Sequence, residues 1–230
     1  MRVVVLDTET TGLDPSQGHR VVEIGAIELI NHLSTGRTYH AYINPERDVP
    51  AEAEAVHGLG TAFLKAKPIF SVIVSEFTAF LGDSTLIIHN ASFDLGFLNA
   101  ELGYLKHPPI LPGRVIDTLQ LARQKHPMGP NSLDALCKRY AVDNSKRSKH
   151  GALLDSELLA EVYLELIGGR QTMLGLAPVE TRKASDIAIP RNSMARPRPL
   201  PDRLTEDEKS AHAGFVESLG PDALWKQRLS

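Results

Sequence analysis

The chain opens on an apolar, β-branched run, Val3 to Leu6, that gives way abruptly to Asp7-Thr8-Glu9-Thr10-Thr11-Gly12. Such a run fits a strand buried on both faces, and it delivers acidic side chains to its own end. After a turn-rich stretch from Asp14 to Gly18, Val21 to Ile30 and Thr38 to Ile43 read as two further strands, the second stopped at Asn44-Pro45. The spacing of Ile69, Val72, Ile73, Phe77 and Phe80 predicts a helix closed by Gly82, and Thr85 to Ile88 reads as a short buried strand. Asn90 to Leu105 follows as a helix with Phe93, Phe97 and Leu98 inward. Val115-Ile116 runs into Asp117-Thr118, where a capped helix starts, and Ser132 caps another that ends at Tyr140. The last strong pattern, Leu153, Leu154, Leu158, Leu159, Val162 and Leu166, marks an amphipathic helix stopped by Gly168-Gly169. Strands first, then strands alternating with helices, predict an α/β domain with a mixed central sheet flanked by helices over residues 1–170.

Beyond that point the pattern changes. Pro178 to Arg203 carries five prolines and six basic residues with little apolar periodicity, so residues 171–203 read as a linker. In residues 204–230, Thr205 and Glu208 have capping-box spacing, and Ala211, Phe215, Val216 and Leu219 form a stripe before Gly220-Pro221 and Trp225. A segment this short cannot build its own core, and its aromatic residues suit a docking peptide. With 42% apolar content in 230 residues, wholly disordered and disulfide-stapled classes fall away. The balance of 25 basic and 28 acidic residues, net −3, leaves no overall positive field to hold a polyanion. The lone Cys137 suits a reducing compartment. No run reaches the ~18 apolar residues of a membrane span, and Val3 to Leu6 is too short for a signal core, so the chain reads as unprocessed, cytoplasmic and without a membrane partner.

Candidate chemistry lies at the ends of the apolar runs. Asp7 and Glu9, two apart on a strand, point to one side, where they can share a hard cation. The same spacing at Glu52/Glu54 and Glu206/Glu208 reads as solvated surface, but a charged pair at the end of a buried strand is costly without a compensating positive charge. Asp94 follows the apolar Leu86 to Ile88 and, taken alone, is an acid in a first helical turn. Asp155 lies among leucines and faces the protein or its edge. His150, five residues earlier, would not share its helical face, so it belongs to the loop or first turn, hinged at Gly151, and reaches the same cavity from another direction.

Asp7-x-Glu9-Thr10-Thr11-Gly12, His89-Asn90-Ala91-Ser92-Phe93-Asp94 and His150-Gly151-Ala152-Leu153-Leu154-Asp155 together resemble the three motifs of the DEDDh 3′→5′ exonucleases. Val56-His57-Gly58-Leu59 and Asn131 to Cys137 resemble auxiliary pieces of the same family. The resemblance implies a ribonuclease-H-like fold in which Asp7, Glu9, Asp94 and Asp155 bind two divalent cations, Mg2+ or Mn2+, for in-line displacement at phosphorus. It implies that His150 is the general base, a task suited to histidine's ordinary pKa of about 6.5. Glu9 and Thr10 lie where family members grip the terminal nucleotide, and His57 joins the substrate-binding set; His89 either contacts the strand or packs.

The family holds both DNA-proofreading subunits and RNA-trimming enzymes. Gln171, Leu174 and Leu176 lie in a stretch that resembles the peptides by which replication proteins bind the sliding clamp. Phe215, Leu219 and Trp225 lie in a segment that resembles the one by which proofreading subunits dock on the polymerase catalytic (alpha) subunit. The implied function is removal of mispaired nucleotides from single-stranded or frayed 3′ ends of DNA, with tethering beside the polymerase making up for the missing positive field. The alternatives are a stand-alone ribonuclease or repair exonuclease, and a protein that chiefly tethers polymerase to clamp. A third small subunit is left open.

Overall fold

In the computed structural model, which describes residues 1–145, 149–168 and 204–220, the N-terminal apolar run becomes strand β1 (Arg2–Thr10). It lies at the centre of a five-stranded sheet with β2 (Val21–Ile30), β3 (Leu33–Tyr42), β4 (Thr85–Ile88) and β5 (Val115–Asp117), in the order β3-β2-β1-β4-β5. Both β1 and β3 pair antiparallel with β2, whereas β4 is parallel to β1 and to β5. Strand β1 outlasts its apolar run because β2 pairs with it throughout: Asp7 lies opposite Gly25 and Glu9 opposite Glu23, with a bulge between Glu9 and Thr10. Strand β3 begins at Leu33, five residues before the start expected at Thr38. As an edge strand its first residues are exposed, so backbone pairing to β2 forms it without any apolar alternation.

Two short helices follow that no periodicity announces, α1 (Ala51–His57) and α2 (Thr61–Lys65). Gly58, at φ 78°, ends α1 in the left-handed conformation. Helices α3 (Phe70–Leu81) and α4 (Ala91–Tyr104) then cover one face of the sheet, burying Phe77, Phe97 and Leu98 against Val4, Leu6, Ile24 and Ile88. Helices α5 (Thr118–Lys125) and α6 (Leu133–Tyr140) pack on α7 (Ala152–Leu166), which covers the other face with Leu159 and Tyr163 against Val3, Val5 and Ile87. Strands covered on both faces account for the unbroken apolar character of β1 and β4.

Each layer is fastened to the sheet beside the end of β1. At Gly25 a side-chain carbon would come within 2.2 Å of the Ala152 backbone, and Ser156 Oγ donates to the Gly25 carbonyl at 2.9 Å. Only a glycine lets α7 come this close. On the opposite face the Arg20 guanidinium donates to Glu101 of α4 at 2.7 and 2.8 Å, in a fork-to-fork pair with a buried carboxylate.

The chain divides into units Met1–Leu176 and Ala177–Ser230. In the second, α8 (Glu206–Ser218) carries the expected capping box of Thr205 and Glu208, with Phe215 63% and Leu219 51% exposed. Gln171, Leu174, Leu176 and Trp225 lie outside the described residues, as does the linker up to residue 203. Among the described residues no helix is long and apolar enough to cross a membrane.

Candidate active site

The parallel strands β1, β4 and β5 end on one side of the sheet, the edge at which open α/β sheets gather their chemistry. A cleft of about 670 Å³ opens there, lined by Asp7, Glu9, Asp94, His150 and Asp155 among others. Alternation along β1 turns Asp7 and Glu9 to the α7 side, with Val3 and Val5, and Thr8 to the α4 side, with Val4 and Leu6. The cluster therefore straddles the sheet. From α4, Asp94 accepts a hydrogen bond from Thr8 Oγ1 at 2.7 Å. From the first turn of α7, Asp155 Oδ2 lies 3.2 Å from His150 Nδ1. The His150 backbone N–H in turn donates to the Val56 carbonyl at 3.3 Å, which seats its loop on the end of α1.

Glu9, His150 and Asp155 each present a ligand atom within 4.8 Å of the others, which makes a candidate acidic metal centre, and Asp7 and Asp94 stand on the walls of the same cleft. Glu9, Asp94 and Asp155 are all buried. Burial pushes the Asp94 carboxyl up to about 7, against the lowering effect of the Thr8 hydrogen bond and of backbone N–H groups. Hard oxygen donors gathered at such a cost fit divalent cations, whose charge would offset theirs.

The remaining expected residues separate into two places. His89 borders the cleft while its Nδ1 sits 2.9 Å from Thr118 Oγ1, and burial lowers its pKa. His57 and Thr10 belong to an adjoining pocket of about 550 Å³, with Leu13, Ala53, Val56 and Phe93 on its apolar walls. Thr8, Glu9 and Phe93 line both cavities, so they form one trough. His57 is 6% exposed, and burial lowers its pKa. Its Nδ1 accepts from the Leu59 N–H at 3.0 Å, which assigns the ring proton to Nε2, a buried donor for which the described residues offer no partner in good hydrogen-bond geometry. Thr10 Oγ1 donates to the Gly12 carbonyl at 2.6 Å, so the hydroxyl serves the turn.

Three further residues shape the site without having been singled out for it. Thr8 was visible only as a member of the acidic run. Gly25 was legible as a lone glycine inside an apolar strand, the usual sign of close backbone approach. Asp117 caps α5 through the Leu119 N–H at 2.9 Å, as its position before Thr118 suggests. The same oxygen accepts from the Asn90 N–H at 3.1 Å, holding the left-handed entry to α4, at φ 62°, that leads to Asp94.

Residues 4–163 match the family model described as Exonuclease. A Rickettsia conorii protein named DNA polymerase III subunit epsilon is 58% identical over 223 residues, covering 95% of this chain and 96% of that one. The Escherichia coli K12 protein of the same name is 40% identical over 238 residues, covering 98% and 97%. Among solved structures, exonuclease X in complex with 5′ overhanging duplex DNA is similar with a TM-score of 0.59 at 25% identity, covering 73% of this chain and 92% of that one. The nuclease domain of 3′hExo, a DEDDh family member bound to rAMP, shares the fold with a TM-score of 0.63 at 18% identity, with the same coverage. By the match of its sheet domain and by relatives that span nearly its whole length, the chain belongs to the exonuclease family and is an epsilon-type member of it.

Proposed function

We propose that the chain removes mispaired nucleotides from the 3′ ends of DNA as the proofreading subunit of a replicative polymerase, hydrolysing the terminal phosphodiester with two divalent cations, Mg2+ or Mn2+. The observation that carries this reading is the convergence of Asp7, Glu9, Asp94, Asp155 and His150 on one cleft from three separate stretches of chain. When bound, the two cations supply the charge that activates the attacking water and stabilises the leaving 3′-oxygen in an in-line displacement. The four carboxylates hold that charge in place. With Nδ1 donating to Asp155, the His150 ring presents Nε2 as the basic nitrogen that takes the proton from the attacking water.

The terminal nucleotide sits in the adjoining pocket, its base against Leu13, Val56 and Phe93 and within reach of the His57 Nε2–H. Glu9, common to both cavities, stands between base and scissile phosphate. A site that takes only an unpaired strand needs no base reading, because a mismatched end frays more readily than a paired one. Residues 1–170 form the catalytic domain. Residues 204–230, through Phe215, Leu219 and Trp225, dock on the polymerase catalytic (alpha) subunit, and Gln171, Leu174 and Leu176 engage the sliding clamp. Such tethering supplies an effective concentration on the order of millimolar, which a chain of net charge −3 needs. This places it in the cytoplasm with the replication machinery.

The test is the double variant Asp7→Ala, Glu9→Ala in the full chain. Hydrolysis of single-stranded and mismatched DNA falls by several orders of magnitude while the circular dichroism spectrum is kept; equal activity before and after overturns the assignment. Faster cleavage of RNA than of DNA ends by the unmodified chain would replace the proofreading reading with a ribonuclease one.

A further inference from the structure

Seven arginines fall among the described residues. Six of them hold backbone carbonyls or side-chain oxygens: Arg2, Arg20, Arg37, Arg47, Arg114 and Arg139. The seventh, Arg123, is exposed on α5, makes no hydrogen bond or ion pair among the described residues, and lines the active-site cleft. Among the described residues no other arginine or lysine lines that cleft, whose walls also carry Asp7, Glu9, Asp94, Asp134 and Asp155. A guanidinium in an acidic cleft that has no partner among the described residues has its hydrogen-bonding fork available to an anion from outside.

The trough gives that anion a position. The apolar pocket with His57 lies on one side of the acids, across Thr8, Glu9 and Phe93, while Arg123 lies with Asn131 and Ser132 in the cleft that holds the acids themselves. Asp117 already caps the start of α5, and Arg123 sits six residues beyond it, about 9 Å along the helix. The neighbouring wall is fixed: Arg139 donates to the Asn131 side chain at 3.3 Å and to the Pro130 carbonyl at 3.1 Å.

We propose that Arg123 binds a phosphate of the substrate strand upstream of the scissile one, and so sets how the strand enters the cleft. This rests on the reading above, in which the terminal nucleotide occupies the His57 pocket and the scissile phosphate lies at the acids. Arg123 is a substrate-binding residue with no part in the bond-breaking step. It contacts the backbone alone and therefore serves every base sequence equally.

The experiment compares the full chain with R123Q and R123K on two substrates: a single-stranded oligothymidylate, and thymidine 5′-monophosphate p-nitrophenyl ester, which has only the scissile phosphodiester. On the oligonucleotide, R123Q raises KM roughly tenfold with kcat kept, and the dependence of log(kcat/KM) on log salt becomes shallower by about one. R123K, a point charge without the fork, regains part of the loss. On the mononucleotide ester both variants match the unmodified chain. Equal losses on the two substrates, or an unchanged KM and salt slope on the oligonucleotide, overturn the inference. If the unmodified chain cleaves neither substrate, the exonuclease reading itself fails, a result distinct from any produced by the variants.

Discussion

The active-site cleft has two flanks, and they are secured by different forces. On the α7 side, the helix that brings Asp155 lies against the strand that pairs with Asp7, at a distance only Gly25 permits. On the α4 side, Asp94 is reached through polar links: Arg20 to Glu101, Asp117 to the Asn90 N–H and Thr8 to the carboxylate itself. Contact between backbones leaves no slack, since packed interiors absorb a misplaced carbon only by moving whole elements. A hydrogen-bonded link instead adjusts the charge state of the group it holds. One flank therefore fixes distance and the other tunes protonation.

The largest effect should follow from breaking the distance-setting flank. Gly25→Ala places a methyl group 2.2 Å from the Ala152 backbone, so α7 must lift off β2. Thermal or denaturant unfolding should show a loss of about 3 kcal/mol or more. In whatever folds, Asp155 and His150 are displaced together, and exonuclease activity should fall by orders of magnitude. A folded variant of normal activity would mean that the approach of α7 does not set the site.

A smaller effect should come from the charge-tuning flank. Burial raises the Asp94 carboxyl from its ordinary value to about 7, so the folded, metal-free protein holds a proton there that the unfolded chain has lost. The contribution of Asp94 to stability is thus fully present below about pH 4 and is lost as pH rises through about 7. In the presence of EDTA, Asp94→Asn should remove that decline and gain on the order of 2 kcal/mol at pH 8 relative to the unmodified chain. It should also lose cation-dependent activity. A variant whose stability follows pH as the unmodified chain does would show that Asp94 carries no such proton.

The two flanks also differ in how far they could be read in advance. Asp7, Glu9 and Asp94 were legible because each follows the end of an apolar run, where a charge is costly without a purpose, whereas Asp155, set among leucines, and His150, in a polar loop, were legible chiefly through the motif they share. The close approach at Gly25 left only a glycine as its trace, and the polar links join residues such as Arg20 and Glu101 that no local spacing relates. Helices α1 and α2, of seven and five residues, are too short to show a period, yet α1 supplies His57 and the Val56 carbonyl that seats the His150 loop. Strand β3 exposes its first residues at the sheet edge, where pairing is a property of the partner strand.

Thr8→Val gives the smallest and most specific effect, because it keeps the shape of β1 and removes one donor. The hydroxyl bonds to the Asp94 carboxylate at 2.7 Å and lowers its pKa, partly countering burial. Without it the carboxyl titrates higher still. Below the pH at which Asp94 ionises, the loss of stability should be slight; above it, an ionised carboxylate left short of a donor should cost about 1 kcal/mol more than in the unmodified chain. Cations compete with the proton for the same oxygens, so the midpoint of the rising limb of cation-dependent activity should move to higher pH, with the plateau rate little changed. A midpoint that stayed in place while the plateau fell would make Thr8 a steric support for α4. The α4 flank would then act as the α7 flank does, by holding distance, and the contrast between them would dissolve.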